Sequence, residues 1–296
     1  MLPRLLVLLP VLALSACSGG DDDKGDDGDD TSADTDTATD DTGTDTADTA
    51  DTADTDTPAP RTFGLTGVLV NRMSGETITA ADGVCVSVLD PGPFVESGNP
   101  TDALVLVTGE VADEGAYSVT VETTSALGLV LLADDCDPEV ENFAPTGTWI
   151  PPRAYQNLPA EEAALNVPGS WVLPANYLPR LAEELATTSY TGDLVAAGVL
   201  VGTVRAADVP VEGATASCES CTDTVLYPDG DPSDGRFSTG ETLNAATTAN
   251  GDFVVPGGAW DLWNVSNGTD TFPGERVGAF PGRITIVTFR AVEATE

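Results

Sequence analysis

From Phe63 onward the chain is cut into short runs rich in Val, Leu and Thr, with turn residues between them. That punctuation restricts the fold more than any other feature, because runs of this length and composition suit strands and are too short for helices. One set comprises residues 65–71, 83–89, 103–108, 116–122 and 127–133; a second comprises 199–205, 214–218, 252–255, 259–265 and 283–290. The pattern predicts an all-β chain with two antiparallel β-sandwich units, 61–137 and 198–296. In the run from Gly83 to Leu89 the residues alternate, which puts Val84, Val86 and Val88 on one face and Cys85 with Ser87 on the other. The stretch between the units, 138–197, carries Pro138, Pro145, Pro151, Pro152, Pro159, Pro168, Pro174 and Pro179. Proline cannot donate to a ladder or continue a helix, so an irregular connector is expected. Its one helical segment is 179–186, with Leu181, Ala182 and Leu185 on one side.

The N-terminal 60 residues follow different rules. Arg4 precedes an apolar stretch from Leu5 to Leu14, too short to span a bilayer and suited to a cleaved export signal over 1–16. Leu14-Ser15-Ala16-Cys17 resembles the lipobox of bacterial lipoproteins. The resemblance implies that Cys17 is diacylated, begins the mature protein and anchors it to a membrane. Ser18 in place of Asp implies forwarding to the outer membrane, the periplasmic or cell-surface face being open. Residues 17–60 then read as anchor and disordered linker. Asp and Thr alternate with Ala and Gly there, Asp-Thr-Ala recurs at 45–47, 48–50 and 51–53, and no apolar periodicity exists to offset the entropy of ordering. Such a linker reaches roughly 35 Å as a coil and about 140 Å drawn out. Asp-Thr-Ala also resembles a bacterial O-glycosylation sequon, which makes Thr37, Thr46, Thr49 and Thr52 candidate glycan sites.

Charge and composition exclude several functions. The chain holds 49 acidic and 11 basic residues and no histidine. Sixteen of the acids lie between Asp21 and Asp56, yet 61–296 still carries 33 acidic against 9 basic residues. A surface so negative repels phosphate backbones, so nucleic acid is not a partner. Without histidine there is no Ser-His-Asp triad, Cys-His nucleophile or His-ligated zinc. The single lysine, Lys24, lies in the linker. The expectation is a non-enzymatic protein without an obligatory cofactor.

With Cys17 assigned to lipid, four cysteines remain in an exported chain, an even number in an oxidising compartment. Pairing within each unit gives Cys85–Cys136 and Cys218–Cys221. Redox and metal roles for Cys218-Glu-Ser-Cys221 are the alternatives, but strand-like flanks and the lack of a second such motif favour a structural disulfide.

The two units look like copies. Gly67-Val-Leu-Val answers Gly202-Thr-Val-Arg, Gly83-Val-Cys-Val answers Gly213-Ala-Thr-Ala, and Asp113-Glu-Gly-Ala-Tyr117 answers Ala249-Asn-Gly-Asp-Phe253. In the second unit, Gly202-Thr-Val, Pro210-Val-Glu-Gly-Ala-Thr215 and Thr248-Ala-Asn-Gly-Asp-Phe253 together resemble the carboxypeptidase regulatory-like domain over 198–290. This implies an Ig-like or transthyretin-like sandwich, and no active site comes with it.

Among side-chain clusters, Asp229, Asp231, Ser233, Asp234 and Glu241 place oxygens at alternating positions beside glycines, as a Ca²⁺ loop requires, although the register differs from an EF-hand. A solvated acidic loop is the competing reading. Asp134-Asp135 and Glu161-Glu162 are neighbours in sequence and define no glycosidase geometry. Trp149, Tyr155, Trp171 and Tyr177 are expected to pack the connector. Alternatively, a groove lined by Trp149, Trp171, Trp260 or Trp263 would favour glycan binding. The reading that results is a lipid-anchored envelope protein presenting β-sandwiches to a carbohydrate or protein partner, with a Ca²⁺-stabilised adhesion module as alternative and a carboxylate-based envelope glycan hydrolase after that.

Overall fold

The computed structural model describes residues 59–99, 102–159, 164–186, 190–228 and 244–292. The export signal, Cys17, the Asp/Thr-rich tract with its threonines, Glu161-Glu162 and the 229–241 loop lie outside the described residues. The first half runs β1 (Arg61–Asn71), β2 (Val84–Asp90), α1 (Gly92–Ser97), β3 (Leu104–Glu110), β4 (Ala116–Thr123) and β5 (Leu129–Asp135). It continues through β6 (Phe143–Ala144), β7 (Thr146–Ile150), α2 (Pro152–Gln156), β8 (Ala164–Asn166) and β9 (Ser170–Pro174). Two helices follow, α3 (Tyr177–Leu185) and α4 (Leu194–Ala197). The second half comprises β10 (Val199–Ala206), β11 (Val209–Pro210), β12 (Thr215–Cys218), β13 (Asp252–Pro256), β14 (Asp261–Ser266), β15 (Glu275–Val277) and β16 (Ile284–Arg290). The chain is all-β, and each of the ten runs read from sequence contains a strand.

The repeat is present in the hydrogen bonding. β1 pairs antiparallel with β4 as β10 does with β13, and β2 pairs with β5 as β12 does with β14. Each copy then adds a parallel neighbour to its first strand: β9 beside β1, β16 beside β10. The matching glycines have matching work. Gly67 and Gly202 face Tyr117 and Phe253 across their ladders, and each lies under that aromatic ring, where no side chain would fit. Tyr117 crosses Gly67 to bond Ser170 of β9, O···O 2.6 Å, while Phe253 crosses Gly202 to meet Phe289 of β16, 5.8 Å between centroids. Gly115 and Gly251 both sit at φ near +70°, with a carbonyl of the first strand, Leu69 or Val204, where a Cβ would point. Glycine adopts that left-handed conformation without the Cβ penalty.

The copies share a sheet. An eight-stranded sheet runs β11-β10-β16-β7-β5-β2-β3, with β13 also on β10, and the join is the parallel pair β7–β16. A second sheet, β4-β1-β9-β6 with β8 on β1, and a third, β12-β14-β15, complete the set. Different cores cover the two faces of the shared sheet at β5. Leu129, Leu131 and Ala133 enter a core with Leu65, Val86 and Val121, whereas Val130 and Leu132 enter another with Phe253, Trp263 and Phe289. A strand buried on both faces carries a continuous apolar run, as Leu129–Ala133 does. The outer face at β10 and β16 is closed by Tyr177, Leu178, Leu181 and Leu185 of α3 and Leu194 of α4, packed on Val199, Val201, Ile284 and Ile286. Those α3 positions form one helical stripe.

Two expectations change. The proline-rich stretch supplies β6–β9, because its prolines fall at strand ends (Pro145, Pro151, Pro174) and leave four or five residues free to pair. The run 283–290 also reads from the sequence as the strand that closes its sheet; β16 is instead an interior strand between β10 and β7, with Ile284, Ile286, Val287 and Phe289 buried.

Candidate functional site

Both disulfides form within their units. Cys85 and Cys136 lie 4.9 Å apart at Cα, where the Cys136 N–H donates to the Gly83 carbonyl and extends the β2–β5 ladder. Cys218 ends β12 and pairs with Cys221, Cα–Cα 5.5 Å. The loop between them is held by Asp261 of β14. Its Oδ2 accepts from Ser220 N (2.7 Å), Ser220 Oγ (2.9 Å) and Cys221 N (2.9 Å), and its Oδ1 from Leu262 N (2.8 Å). The Ser220 N–H is the main reason that the Asp261 carboxyl lies below the usual range. The two sulfurs and this carboxylate lie within 4.8 Å of one another, but the sulfurs are bonded and the carboxylate is engaged by the loop. A strand precedes the pair and no helix begins at Cys218, so the helix-terminus setting of a redox cysteine is missing there.

Among the described residues the tryptophans divide between two separate clusters. Trp263 is fully buried and Trp149 is 5% exposed. Trp149 meets Trp260 edge-on at 5.7 Å, Trp260 meets Phe280 at 5.4 Å, and Phe280 meets Phe94 at 4.7 Å, a packed aromatic cluster under α1. Trp171 lies elsewhere, beneath the Arg72 guanidinium at 4.7 Å. Arg72 also bonds Asp252 (2.6 Å) and so ties the first half to β13. Tyr155 and Tyr177 are core residues; Tyr155 stacks on Phe63, and burial pushes its hydroxyl up to about 12.

Asp134, Asp135 and Glu141 line a cleft of about 420 Å³ together with Phe143, Leu178 and Pro179. The two aspartates make structural bonds there. Asp135 Oδ2 accepts from the N–H groups of Asn142 (2.9 Å) and Phe143 (3.1 Å), closing the turn into β6. Asp134 Oδ1 accepts from Asp135 N, and burial raises the Asp134 carboxyl.

A further cavity, of about 320 Å³, lies beside the β7–β16 join. Thr148 and Ile150 of β7, Pro151, Arg153 and Ala154 at α2, Leu165 to Pro168 around β8, Pro273, and Thr288 with Arg290 of β16 are among its walls. The join explains why it exists. β7 and β16 pair only from Thr146↔Ile284 to Thr148↔Ile286. Pro151 and Pro152 then end β7 and start α2, while β16 runs on to Arg290. Arg153 reaches Glu275 with both terminal nitrogens, Nη1 at 3.1 Å from Oε2 and Nη2 on Oε1. Glu275 is nearly inaccessible while Arg153 is 45% exposed. Burial raises the Glu275 carboxyl, with Arg153 and then the Trp149 indole opposing it. Sequence reasoning missed this cavity because its walls come from four separated segments.

No family model matches the chain, and no curated protein matches it. Among solved structures, the shaft pilin SpaA from Lactobacillus rhamnosus GG aligns at 11% identity over 80% of this chain and all of its own, TM-score 0.24. The Bacillus anthracis TIE protein aligns at 8% identity over 77% of this chain and 34% of its own, TM-score 0.25. CBMbc (family CBM26) from Eubacterium rectale Amy13K, in complex with maltoheptaose, aligns at 12% identity over 79% of this chain and 98% of its own, TM-score 0.21. Scores of this size establish no function. Among the described residues no helix is long and apolar enough to cross a membrane.

Proposed function

We propose that this chain is a lipid-anchored, non-enzymatic protein of the bacterial cell envelope. Cys17 carries the anchor in the outer membrane, the Asp/Thr-rich tract is a spacer, and the paired β-units are presented to a carbohydrate or protein partner. The observation that carries the reading is the combination of an export signal ending at Leu14-Ser-Ala-Cys17 with two disulfides in the part that folds. Such bridges persist in an oxidising compartment. The carboxypeptidase regulatory-like character of 198–290 belongs to the same reading. The absence of histidine, the confinement of lysine to position 24 and the structural bonding of Asp134, Asp135 and Asp261 all speak for binding or support over catalysis. Fractionating cells that express the chain and its Cys17→Ser variant tests it. The parent should sediment with outer membranes and the variant should be soluble; equal partitioning sinks the anchor. Protease added to intact cells then distinguishes the two faces, since digestion of the β-units requires exposure at the surface.

A second reading rests on the alternating oxygens of Asp229, Asp231, Ser233, Asp234 and Glu241, which suit a Ca²⁺-stabilised adhesion module. Its test is the melting temperature, which millimolar Ca²⁺ must raise in the parent and not in Asp231→Asn/Asp234→Asn.

A further inference from the structure

We propose that the cavity beside the β7–β16 join binds a small molecule with an apolar body and one carboxylate, such as a medium-chain aliphatic acid. The walls set the first half of that description. Ile150, Pro151, Leu165, Val167, Pro168 and Pro273 give an apolar lining, and about 320 Å³ lies at the small end of the range for ligand sites. Trp149 also lines the cavity, but it is 5% exposed and packed edge-on against Trp260, so it offers no stacking face to a glycan.

The second half follows from charge. Among the described residues no acidic side chain lines this cavity, although acids outnumber basic residues 33 to 9 over 61–296; two of the nine arginines, Arg153 and Arg290, do line it. Arg290 commits Nη1 to Asp208, whose side chain is 81% exposed, so that pairing is screened by solvent. Among the described residues its Nη2 and Nε bond nothing, which leaves them as donors for an incoming carboxylate. Arg153 is already neutralised by buried Glu275, so the site as a whole suits one negative charge better than two.

Thr148 supplies an independent sign of a missing partner. It is 6% exposed, it lines the cavity, and its Oγ1 has no hydrogen-bond partner among the described residues. Its register partner is Ile286, which places it on the face of β16 that carries Thr288 and Arg290. A buried hydroxyl is ordinarily bonded, so Thr148 leaves one polar atom of this wall unanswered, although that atom is closed to water in the empty cavity. The inference concerns residues 148–290 and is independent of how the N-terminus is held.

The test titrates the full-length Cys17→Ser chain, disulfides intact, with sodium octanoate and with 1-octanol at pH 7, read by calorimetry. Octanoate should bind saturably at one site, about tenfold more tightly than octanol, the factor that one charge-assisted hydrogen bond carries. Arg290→Gln should remove that advantage and leave octanol binding unchanged. Leu165→Trp, which fills the cavity from its margin, should weaken both probes. No octanoate binding at millimolar concentration, equal affinity for octanoate and octanol in the parent, or undiminished binding by a folded Leu165→Trp chain would each overturn the proposal.

Discussion

Replacing Gly251 with alanine tests both the repeat and the reason for its glycines. Gly251 has φ +71°, and an added Cβ would lie 2.7 Å from the Val204 carbonyl oxygen and 3.1 Å from Pro210 Cβ and Val211 N. Two costs therefore combine: about 1–2 kcal/mol for a Cβ in the left-handed region and about 2 kcal/mol for backbone that must move aside. Gly213 separates them, because it shares the conformation, φ +79°, with nothing within 4 Å of the added carbon. Gly213→Ala should cost only the first, about 1–2 kcal/mol, against about 3–4 kcal/mol for Gly251→Ala. At roughly 3 °C per kcal/mol for a fold of this size, the two variants should melt about 6 °C apart. Gly115→Ala should match Gly251→Ala, since its Cβ would meet the Leu69 carbonyl oxygen at 2.6 Å. Thermal unfolding of the three variants by circular dichroism, with disulfides intact, is the assay. Equal losses for Gly213→Ala and Gly251→Ala would refute the close-approach argument. A Gly115→Ala variant that behaves like Gly213→Ala would refute the equivalence of the copies.

Further outcomes follow from the same geometry. Removing Cys85–Cys136, which spans 51 residues, should cost about 4 kcal/mol in urea unfolding, against about 2 kcal/mol for Cys218–Cys221, which spans 3, if loop entropy dominates; a reversed order contradicts it. Arg153→Ala should cost more than Glu275→Gln at pH 7, by about 2 kcal/mol, because it strands a buried carboxylate whereas the reverse change leaves an arginine that is 45% exposed. The Glu275 carboxyl titrates above its unfolded value near 4.5, so the folded state holds its proton longer and stability falls as pH rises through that value toward the folded one. The Arg153→Ala deficit should accordingly shrink toward pH 4, and a deficit independent of pH would count against it. Ala207 and Asp208 form the two-residue β10–β11 turn with φ +45° and +64°. Ala207→Gly should therefore stabilise by about 1 kcal/mol, and a lowered melting temperature would show that the turn is not strained as argued.

Much of this fold is legible in the sequence because its signals are local. Val84, Val86 and Val88 alternate and all three enter one core, and the glycine-and-aromatic spacing of the repeat reappears as ladder partners. The signals for β7 and β9 are weak because each is five residues between prolines, and pairing partners far along the chain decide their state. Parallel pairing of β9 with β1 and β16 with β10 leaves no local mark, and neither does the shared sheet. The candidate sites divide the same way. Cys85, Cys136, Cys218 and Cys221 could be sorted by counting, whereas Thr148, Leu165 and Arg290 become one site only when β7 and β16 part. The sequence favours packing for Trp149 over a binding platform, and Trp149 and Trp263 do belong to one core cluster with Trp260 packed against it.

The envelope reading stands or falls on Cys17, and mass spectrometry of the N-terminal peptide from membrane-extracted protein measures it directly. The mature chain should begin at Cys17 and carry the mass of a diacylglyceryl group. A peptide that retains residues 1–16, or one that begins elsewhere with an unmodified Cys17, would contradict lipid anchoring.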